Sequence, residues 1–230
     1  MRDQPRSVML FAAGFGTRMG DLTADRPKPM IPVAGKSLID HALDLVRAHG
    51  PERIVANIHY KPQALIDHLQ DSNVTLSHET PDILDTGGGL RAALPHLGDG
   101  PVFTMNTDAV WRGPNPLDQL ADLWDAARMD ALLLCIPRPN AVGHAGKGDF
   151  VIGPDGTAQR GPGHVYSGLQ IVKTDRLPGI EETAFSLNLL WDTMLAEGRL
   201  FATTYPGEWC DVGHPEGIVM AEEMLGYRHV

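Results

Sequence analysis

Cysteine, long apolar runs and positive charge are all scarce in this sequence. The two cysteines, Cys135 and Cys210, lie far apart among 230 residues, so no disulfide framework is predicted and a reducing compartment suits the chain. No apolar run approaches the length of a membrane span. The first apolar stretch is too short and too interrupted by glycine for a signal peptide. We therefore expect a cytoplasmic protein with no membrane partner.

The charge balance is acidic. The sequence has 19 lysines and arginines against 29 aspartates and glutamates, a formal net charge of −10, and no basic cluster. This balance argues against a nucleic-acid-binding surface. An acidic chain that takes an anionic substrate has to gather its cations at one place or recruit metal ions. No Gly/Ser-rich or Pro-rich linker divides the chain, and we expect residues 1–230 to form a single domain.

Apolar segments alternate between strand-like and helix-like patterns up to Pro137. The predicted strands are Ser7–Ala12, Arg53–Asn57, Val74–His78, Pro101–Met105 and Ala131–Pro137. The predicted helices between them are Ser37–Ala48, Pro62–Leu69, Gly89–Leu94 and Pro116–Arg128. This alternation predicts an α/β fold with a largely parallel sheet covered on both faces. Beyond Pro137 short strands joined by turns are predicted, with helices at Ser186–Leu195 and Pro215–Leu225.

One short stretch combines the features of a polyphosphate site. A buried strand runs into a turn with Gly14 and Gly16, where backbone can approach a ligand closely and exposed amides form an anion-binding concavity. Arg18 adds a fork of donors suited to phosphate oxygens. Lys28 adds a compact charge between two prolines that stiffen its backbone.

The two common nucleotide motifs do not account for this stretch. The dinucleotide pattern G-x-G-x-x-G requires a third glycine where Met19 stands, which disfavours a dinucleotide-dependent oxidoreductase. The P-loop pattern requires Gly-Lys-Ser/Thr after four spacers, and Gly35-Lys36-Ser37 lacks the upstream glycine at that offset.

The sequences Gly14-Phe15-Gly16-Thr17-Arg18-Met19 and Pro27-Lys28-Pro29-Met30 together resemble the signature of the sugar-1-phosphate nucleotidyltransferases. The resemblance implies a Rossmann-like three-layer sandwich with a mostly parallel mixed sheet, the nucleotide-diphospho-sugar transferase fold. It implies catalytic roles for Arg18 and Lys28, and nucleotide binding by Ala12, Ala13, Gly14, Gly16 and Thr17. Longer relatives carry a β-helix domain, and no hexapeptide repeat follows here, so we expect the catalytic domain alone.

Two aspartates are candidate metal ligands. Asp108 follows a predicted strand at the sheet edge where ligands bind, and Asp211 precedes the last helix. On position alone each fits a turn or a helix cap equally well. The resemblance changes this, because Asn106-Thr107-Asp108 and Asp211-Val212-Gly213-His214-Pro215 are similar to the family's two metal elements. It implies that Asp108 and Asp211 bind Mg²⁺, with Asp108 also at the nucleotide. His214, where the family has Thr, is predicted to be a bystander.

The base pocket is predicted from glycines and an amide. The resemblance places Thr86-Gly87-Gly88-Gly89 at the nucleotide, so Gly87 and Gly88 are assigned to the base, which their backbone amides would read. Asn57, in Ala56-Asn57-Ile58-His59-Tyr60, is similar to an asparagine that shapes the base or ribose pocket. As ordinary sequence the glycine run is also compatible with a loose loop before a helix.

The acceptor is assigned to residues 138–205. Gly148-Asp149-Phe150, Val165-Tyr166-Ser167-Gly168-Leu169 and Phe185-Ser186-Leu187 resemble the subfamily that makes uridine-diphosphate N-acetylmuramic acid. The acceptor-binding residues so implied are Asn140, Gly148, Asp149, Ser167 and Gly168. The E-K-P element of many relatives is replaced by Arg160-Gly161-Pro162-Gly163, which leaves Arg160 and Lys147 as candidates for the basic contact to the sugar phosphate.

The sequence therefore predicts Mg²⁺-dependent nucleotidyl transfer, favouring UTP and N-acetylmuramic acid 1-phosphate and releasing pyrophosphate. Guanylyl, thymidylyl or cytidylyl transfer to another sugar phosphate or to phosphocholine remains open, as does a non-catalytic nucleotide-sugar sensor. The oligomeric state is not predicted.

Overall fold

The computed structural model describes residues 4–228. Six α-helices among these residues are connected by strands and short 3₁₀ turns. The helices are α1 Leu38–His49, α2 Pro62–Leu69, α3 Asp85–Leu97, α4 Pro116–Leu123, α5 Asn188–Ala196 and α6 Pro215–Leu225. The strands are β1 Ser7–Phe11, β2 Pro32–Val33, β3 Lys36–Ser37, β4 Arg53–Ile58, β5 Val74–His78, β6 Val102–Asn106, β7 Ala109–Arg112, β8 Ala131–Ile136, β9 Ala141–Val142, β10 Phe150–Ile152, β11 Ala158–Arg160, β12 Val165–Val172, β13 Leu200–Thr204 and β14 Glu208–Asp211.

A seven-stranded mixed sheet forms the centre of the fold, in the order β13-β8-β12-β6-β1-β4-β5. Its pairs are parallel except those of β12, which runs antiparallel to both β6 and β8. Strand β1 lies between β4 and β6, with Phe11 opposite Asn57 on one side and Asn106 on the other. The carboxyl ends of three parallel strands therefore meet at one place, directly before the glycine loop.

Helices cover both faces of this sheet, which confirms the predicted three-layer α/β sandwich. Alternate residues of β1 enter different clusters, with Val8 and Leu10 facing α1, α2 and α4. Met9 faces α3 and α5. Cys135 is fully buried in this second cluster, as predicted. No helix within residues 4–228 is long and apolar enough to cross a membrane.

A second, three-stranded sheet in the order β7-β14-β9 brings distant parts of the chain together. Strands β7 and β14 are antiparallel, and Asp211 pairs with Ala109. The Val212 amide donates a 2.8 Å hydrogen bond to the carbonyl of Asp108. Helix α6 packs on this sheet through Ala221 and Met224. The late segment that holds Asp211 is thereby fixed against the turn that holds Asp108.

Three sequence-based predictions of elements were wrong. Strands β7 and β14 were missed, because each has four residues and pairs with a distant partner. Helix α4 ends at Leu123, short of the predicted Arg128, since Trp124 turns to an extended conformation. Helix α3 begins at Asp85 and not at the predicted Gly89, so Gly87 and Gly88 lie inside its first turns.

A buried carboxylate anchors the far end of the sheet. Asp130 is 5% exposed and receives hydrogen bonds from Lys173, Arg176 and Arg199 at 2.8–3.1 Å. Burial acts to raise the pKa of Asp130, but hydrogen bonds from Lys173 and Arg199, together with their charges, lower it below its ordinary value. The cluster joins the end of β12 to the residues that precede β8 and β13.

We expect Asp130→Asn to lower the free energy of unfolding at pH 7 by about 1–3 kcal/mol, the range for hydrogen bonds to charged groups. Because the folded pKa is depressed, this stabilisation is present above the unfolded value near 3.8 and is lost as pH falls through the folded pKa. Urea unfolding at pH 7 and at low pH measures both effects. Glu52→Gln, which breaks an exposed pair with Arg6, is the control and is expected to change little; equal losses in the two variants contradict the prediction.

Candidate active site

A cavity of about 310 Å³ lies where β1, β4 and β6 end. The structure places most of the residues predicted to act on the nucleotide along its wall. They are Ala12, Ala13, Gly14, Gly16, Thr17, Arg18, Lys28, Asn57 and Asp108. The carboxyl end of the sheet therefore forms a single pocket from several separate sequence segments, as expected for an open α/β fold.

The glycine loop and the proline-flanked lysine are packed against each other. Gly16 has a φ of +64°, and a Cβ there would lie 2.8 Å from the Cβ of Lys28. Gly16 is thus required both by its backbone conformation and by this contact. Gly14 has no atom within 4 Å of the position of a Cβ, so the loop leaves open space beside the cavity.

Lys28 forms the central ion pair of the cavity. Its Nζ donates to Asp108 Oδ2 at 2.8 Å, and the side chain is only 10% exposed. Lys28 lies between Pro27 and Pro29 and begins a single 3₁₀ turn, Lys28–Met30. The two prolines limit the freedom of its backbone. The charged end is therefore fixed beside Asp108 at the wall of the cavity.

Asp211 lies next to this pair, and the pKa of its carboxyl is raised above the ordinary value. Burial raises the pKa of its carboxyl, and the charge of Asp108 raises it further, whereas Lys28, Arg18 and His214 act in the opposite direction. A Cβ at Gly213 would lie 2.9 Å from Asp211 Oδ2 and 3.1 Å from Arg18 Nη1, so these two groups meet across that glycine. Two carboxylates and two cations thus share one small volume.

The two carboxylates fit the requirements of a magnesium site. Mg²⁺ is usually held by one or two carboxylates together with substrate phosphates, and it prefers hard oxygen ligands. Asp108 and Asp211 supply such oxygens, and burial together with the charge of Asp108 raises the pKa of Asp211. No group of three or more acidic, histidine or cysteine side chains within residues 4–228 forms a closed protein cage for a metal. The donor set suits an ion shared with a polyphosphate.

Asn57 is held by a buried hydrogen-bond relay. Its Oδ1 accepts from the Ala12 amide and its Nδ2 donates to Glu79 Oε1, both at 2.7 Å. Glu79 is 1% exposed, and its Oε2 accepts from the Leu84 amide at 2.7 Å. A Cβ at Gly89 would clash with Glu79 and Asn57. The relay therefore joins the start of the glycine loop to the segment that enters α3.

Gly87 and Gly88 are packed behind the cavity wall. Their amides both donate to the carbonyl of Phe185, at 2.8 and 3.1 Å, and a Cβ at either position would clash with residues 183–185. In this arrangement the amides that sequence reasoning assigned to the base edge are already engaged. Asp85 and Thr86 line the cavity at this point.

A second cavity of about 300 Å³ adjoins the first and shares Phe11, Thr86 and Asn106 with it. Of the five predicted acceptor residues, Asp149 lines this cavity, and its Oδ2 accepts from the Tyr166 amide at 2.8 Å. The basic candidate Arg160 lines it too.

The other four predicted acceptor residues occupy positions in the framework. Ser167 is buried and its hydroxyl donates to the Leu134 carbonyl at 2.6 Å. Gly168 has a φ of +83° and packs on the side chain of Asn106. Gly148 packs on the Gly163 backbone, and Asn140 donates to the Gly207 carbonyl at 2.9 Å. None of the four lines either cavity, and neither does the exposed Lys147.

Sequence reasoning missed two residues of the site. Glu79 stands directly before Thr80-Pro81, and the glycine run follows at Gly87. An acidic residue at this position could have been chosen as a candidate for the nucleotide site. Thr107 was named only as the middle residue of the Asn106-Thr107-Asp108 element. Its hydroxyl donates to the Phe11 carbonyl at 2.7 Å and so ties the end of β6 to the end of β1.

Comparisons with known proteins agree with this geometry. Residues 8–163 match the MobA-like NTP transferase domain family. The chain is 36% identical to N-acetylmuramate alpha-1-phosphate uridylyltransferase of Caulobacter vibrioides, covering 98% of this chain and 99% of that protein. It is 31% identical to the protein of the same name from Neisseria meningitidis, covering 95% and 98%.

More distant matches are similar over the same region. A probable mannose-1-phosphate guanylyltransferase 2 from Arabidopsis thaliana is 27% identical, covering 92% of this chain and 63% of that protein. The crystal structure of HddC from Yersinia pseudotuberculosis complexed with GMP-PN superposes with a TM-score of 0.77 at 22% identity, covering 95% and 99% of the two chains. The latter likeness shows the shared fold.

The chain belongs to the MobA-like NTP transferase domain family and is a nucleotidyltransferase. The curated relatives define the reaction further. The chain is a member of the group that transfers nucleotides to sugar 1-phosphates.

We expect Asp211→Asn to raise the thermal midpoint of the metal-free protein at pH 7 by a few degrees, while abolishing nucleotidyl transfer. The folded pKa is raised, so the ionised carboxylate opposes folding above that pKa, and the difference from wild type should shrink as pH falls towards the ordinary value of 3.8. Scanning calorimetry across this range measures it. Asp71→Asn, an exposed change, is the control; a lower midpoint for Asp211→Asn at pH 7 would contradict the electrostatic account.

The relay predicts that Asn57→Asp and Glu79→Gln each lower kcat/KM by about 10- to 100-fold, because a small displacement of positioning groups is costly. The first change sets two carboxylates against each other, and the second sets two N–H donors against each other. The double variant Asn57→Asp/Glu79→Gln reverses the polarity of the bond and restores every partner, so most activity should return. If either side chain contacts the nucleotide directly, the double variant will be no better than the poorer single one.

Proposed function

We propose that this protein is a Mg²⁺-dependent uridylyltransferase that transfers UMP from UTP to N-acetylmuramic acid 1-phosphate and releases pyrophosphate. The observation that carries the reaction class is the Lys28–Asp108 pair in the wall of the first cavity, with Asp211 beside it. The two relatives at 36% and 31% identity, which match over nearly their whole length, support the choice of substrates. The proposal places the reaction in peptidoglycan recycling, in the cytoplasm.

The residues of the first cavity stabilise the negative charge of the reacting phosphates. A phosphate oxygen of the acceptor attacks the α-phosphorus of the triphosphate, and the bond to the leaving pyrophosphate breaks. Arg18 and Lys28 neutralise negative charge on the phosphates as it shifts towards the leaving group. The loop at Gly14 and Gly16 lets main-chain amides approach these oxygens. The acceptor phosphate is already ionised at neutral pH, so no side chain has to remove a proton.

Asp108 and Asp211 would hold the Mg²⁺ ion, which supplies further neutralisation of the phosphate oxygens when bound. Lys28 then has two tasks, since its ammonium group both pairs with Asp108 and faces the cavity. The second cavity, built from residues within the predicted acceptor region 138–205 and from the shared wall, takes the sugar. We assign the whole reaction to one catalytic domain.

Guanylyl transfer to another sugar phosphate is the second candidate, because plant relatives named as guanylyltransferases also match this chain. Pyrophosphate release from a matrix of ATP, GTP, CTP, UTP and dTTP against several sugar 1-phosphates and phosphocholine, with and without Mg²⁺, separates these possibilities. We expect Mg²⁺-dependent release with UTP and N-acetylmuramic acid 1-phosphate. Release with GTP and a hexose phosphate instead would replace the proposal, and tight triphosphate binding without turnover would favour a sensor.

We expect Lys28→Ala to lower turnover by about 100- to 1000-fold, the range for loss of one preorganised donor. Lys36→Ala is the matched control, because Lys36 forms an exposed pair with Asp44 outside the cavity. Thermal unfolding of both variants separates loss of chemistry from loss of fold. Near-normal turnover of Lys28→Ala would remove the role given to this lysine.

A further inference from the structure

The second cavity has a single cationic side chain among the residues that line it. Arg160 projects from β11, and the cavity's one acidic residue, Asp149, is engaged by the Tyr166 amide. The remaining wall contains aromatic rings, among them Phe150 and Trp191. An uncharged hexose ring needs no cation there, whereas an acceptor with an additional negative charge does.

The guanidinium of Arg160 is orientated by its neighbours. It lies 5.7 Å from the centre of the Phe150 ring and 6.0 Å from that of Trp191. Its Nε and Nη2 donate to Asp192 Oδ1 at 3.1 and 2.8 Å, and Nη2 also donates to Asn188 Oδ1 at 3.0 Å. Within the described residues these bonds leave Nη1 for a ligand.

The pairing with Asp192 does not prevent such a contact. The side chain of Asp192 is 63% exposed, and ion pairs at such positions contribute little to stability. Aromatic faces favour a guanidinium, which is weakly hydrated and presents a planar fork that matches a carboxylate. Arg160 is thus a preformed carboxylate contact whose present partner is easily exchanged.

The position of Arg160 indicates which part of the acceptor it meets. The reacting phosphate has to lie near Lys28 and Asp108, and the two cavities meet at Phe11, Thr86 and Asn106. Arg160 lines a part of the second cavity that is not shared with the first. It therefore faces the sugar's substituents and not the phosphate.

We propose that Arg160 selects acceptors that bear a carboxylate on a sugar substituent, by binding that carboxylate through its guanidinium. This inference rests on the proposed function. N-acetylmuramic acid differs from N-acetylglucosamine by an ether-linked lactyl group, whose carboxylate is the group recognised. Arg160 is then a specificity-determining residue, and the aromatic rings beside it favour the position of its guanidinium.

The test compares acceptors that differ in that charge alone. Initial rates are measured with UTP and Mg²⁺ for N-acetylmuramic acid 1-phosphate and for its lactyl amide, with N-acetylglucosamine 1-phosphate as a third acceptor. The variants are Arg160→Met, Arg160→Lys and, as matched control, Arg128→Met. Arg128 lies 5.1 Å from the centre of the Phe201 ring, in the same kind of contact but outside the cavity.

We expect wild type to prefer the acid over the amide, and Arg160→Met to raise KM for the acid about ten- to hundredfold, the range for a charged hydrogen bond. The ratio of kcat/KM between acid and amide should then fall towards one, with Arg160→Lys between the two and Arg128→Met unchanged. Thermal unfolding checks that each variant is folded.

Two results would overturn the inference. One is a wild-type enzyme that uses acid and amide equally well. The other is an Arg160→Met variant that keeps the wild-type ratio. Absence of turnover by wild type with N-acetylmuramic acid 1-phosphate is a different result, which removes the proposed function and the inference with it.

Discussion

The ion pair between Lys28 and Asp108 is the interaction on which the arrangement of the site depends. It joins a residue held between two prolines to a turn at the end of β6, and it places one cation next to two carboxylates. Burial and the charge of Asp108 raise the pKa of Asp211, and the charges of Lys28 and Arg18 act in the opposite direction. A metal ion held by Asp108 and Asp211 would add positive charge at this point.

The framework around the pair keeps this charge in place. Strand β1 is central in the sheet, and its end is tied to β4 through Asn57 and to β6 through Thr107. Gly16 packs directly on Lys28. Because buried hydrogen bonds and close contacts resist displacement, the loop and the lysine are held in a fixed relation to each other.

Sequence reasoning predicted the parts of the fold that follow from local pattern. Helices α2 and α6 and strand β5 have the predicted bounds, since proline starts and apolar periodicity mark them. Strands β7 and β14 were not predicted, because four-residue strands are defined by a partner about a hundred residues away. The resemblance identified Lys28, Asp108 and Asp211. It did not reveal Glu79, which accepts hydrogen bonds from Asn57 and from the Leu84 amide and acts only through this buried position.

The pairing of β7 with β14 has a consequence for synthesis of the protein. The glycine loop and Lys28 leave the ribosome early, but Asp211 comes near the end and reaches its place only when β14 pairs with β7. A nascent chain that already has most of the sheet therefore lacks one of its two carboxylates. The pair of carboxylates formed by Asp108 and Asp211 is therefore complete only once β14 has paired with β7, across about a hundred residues of sequence.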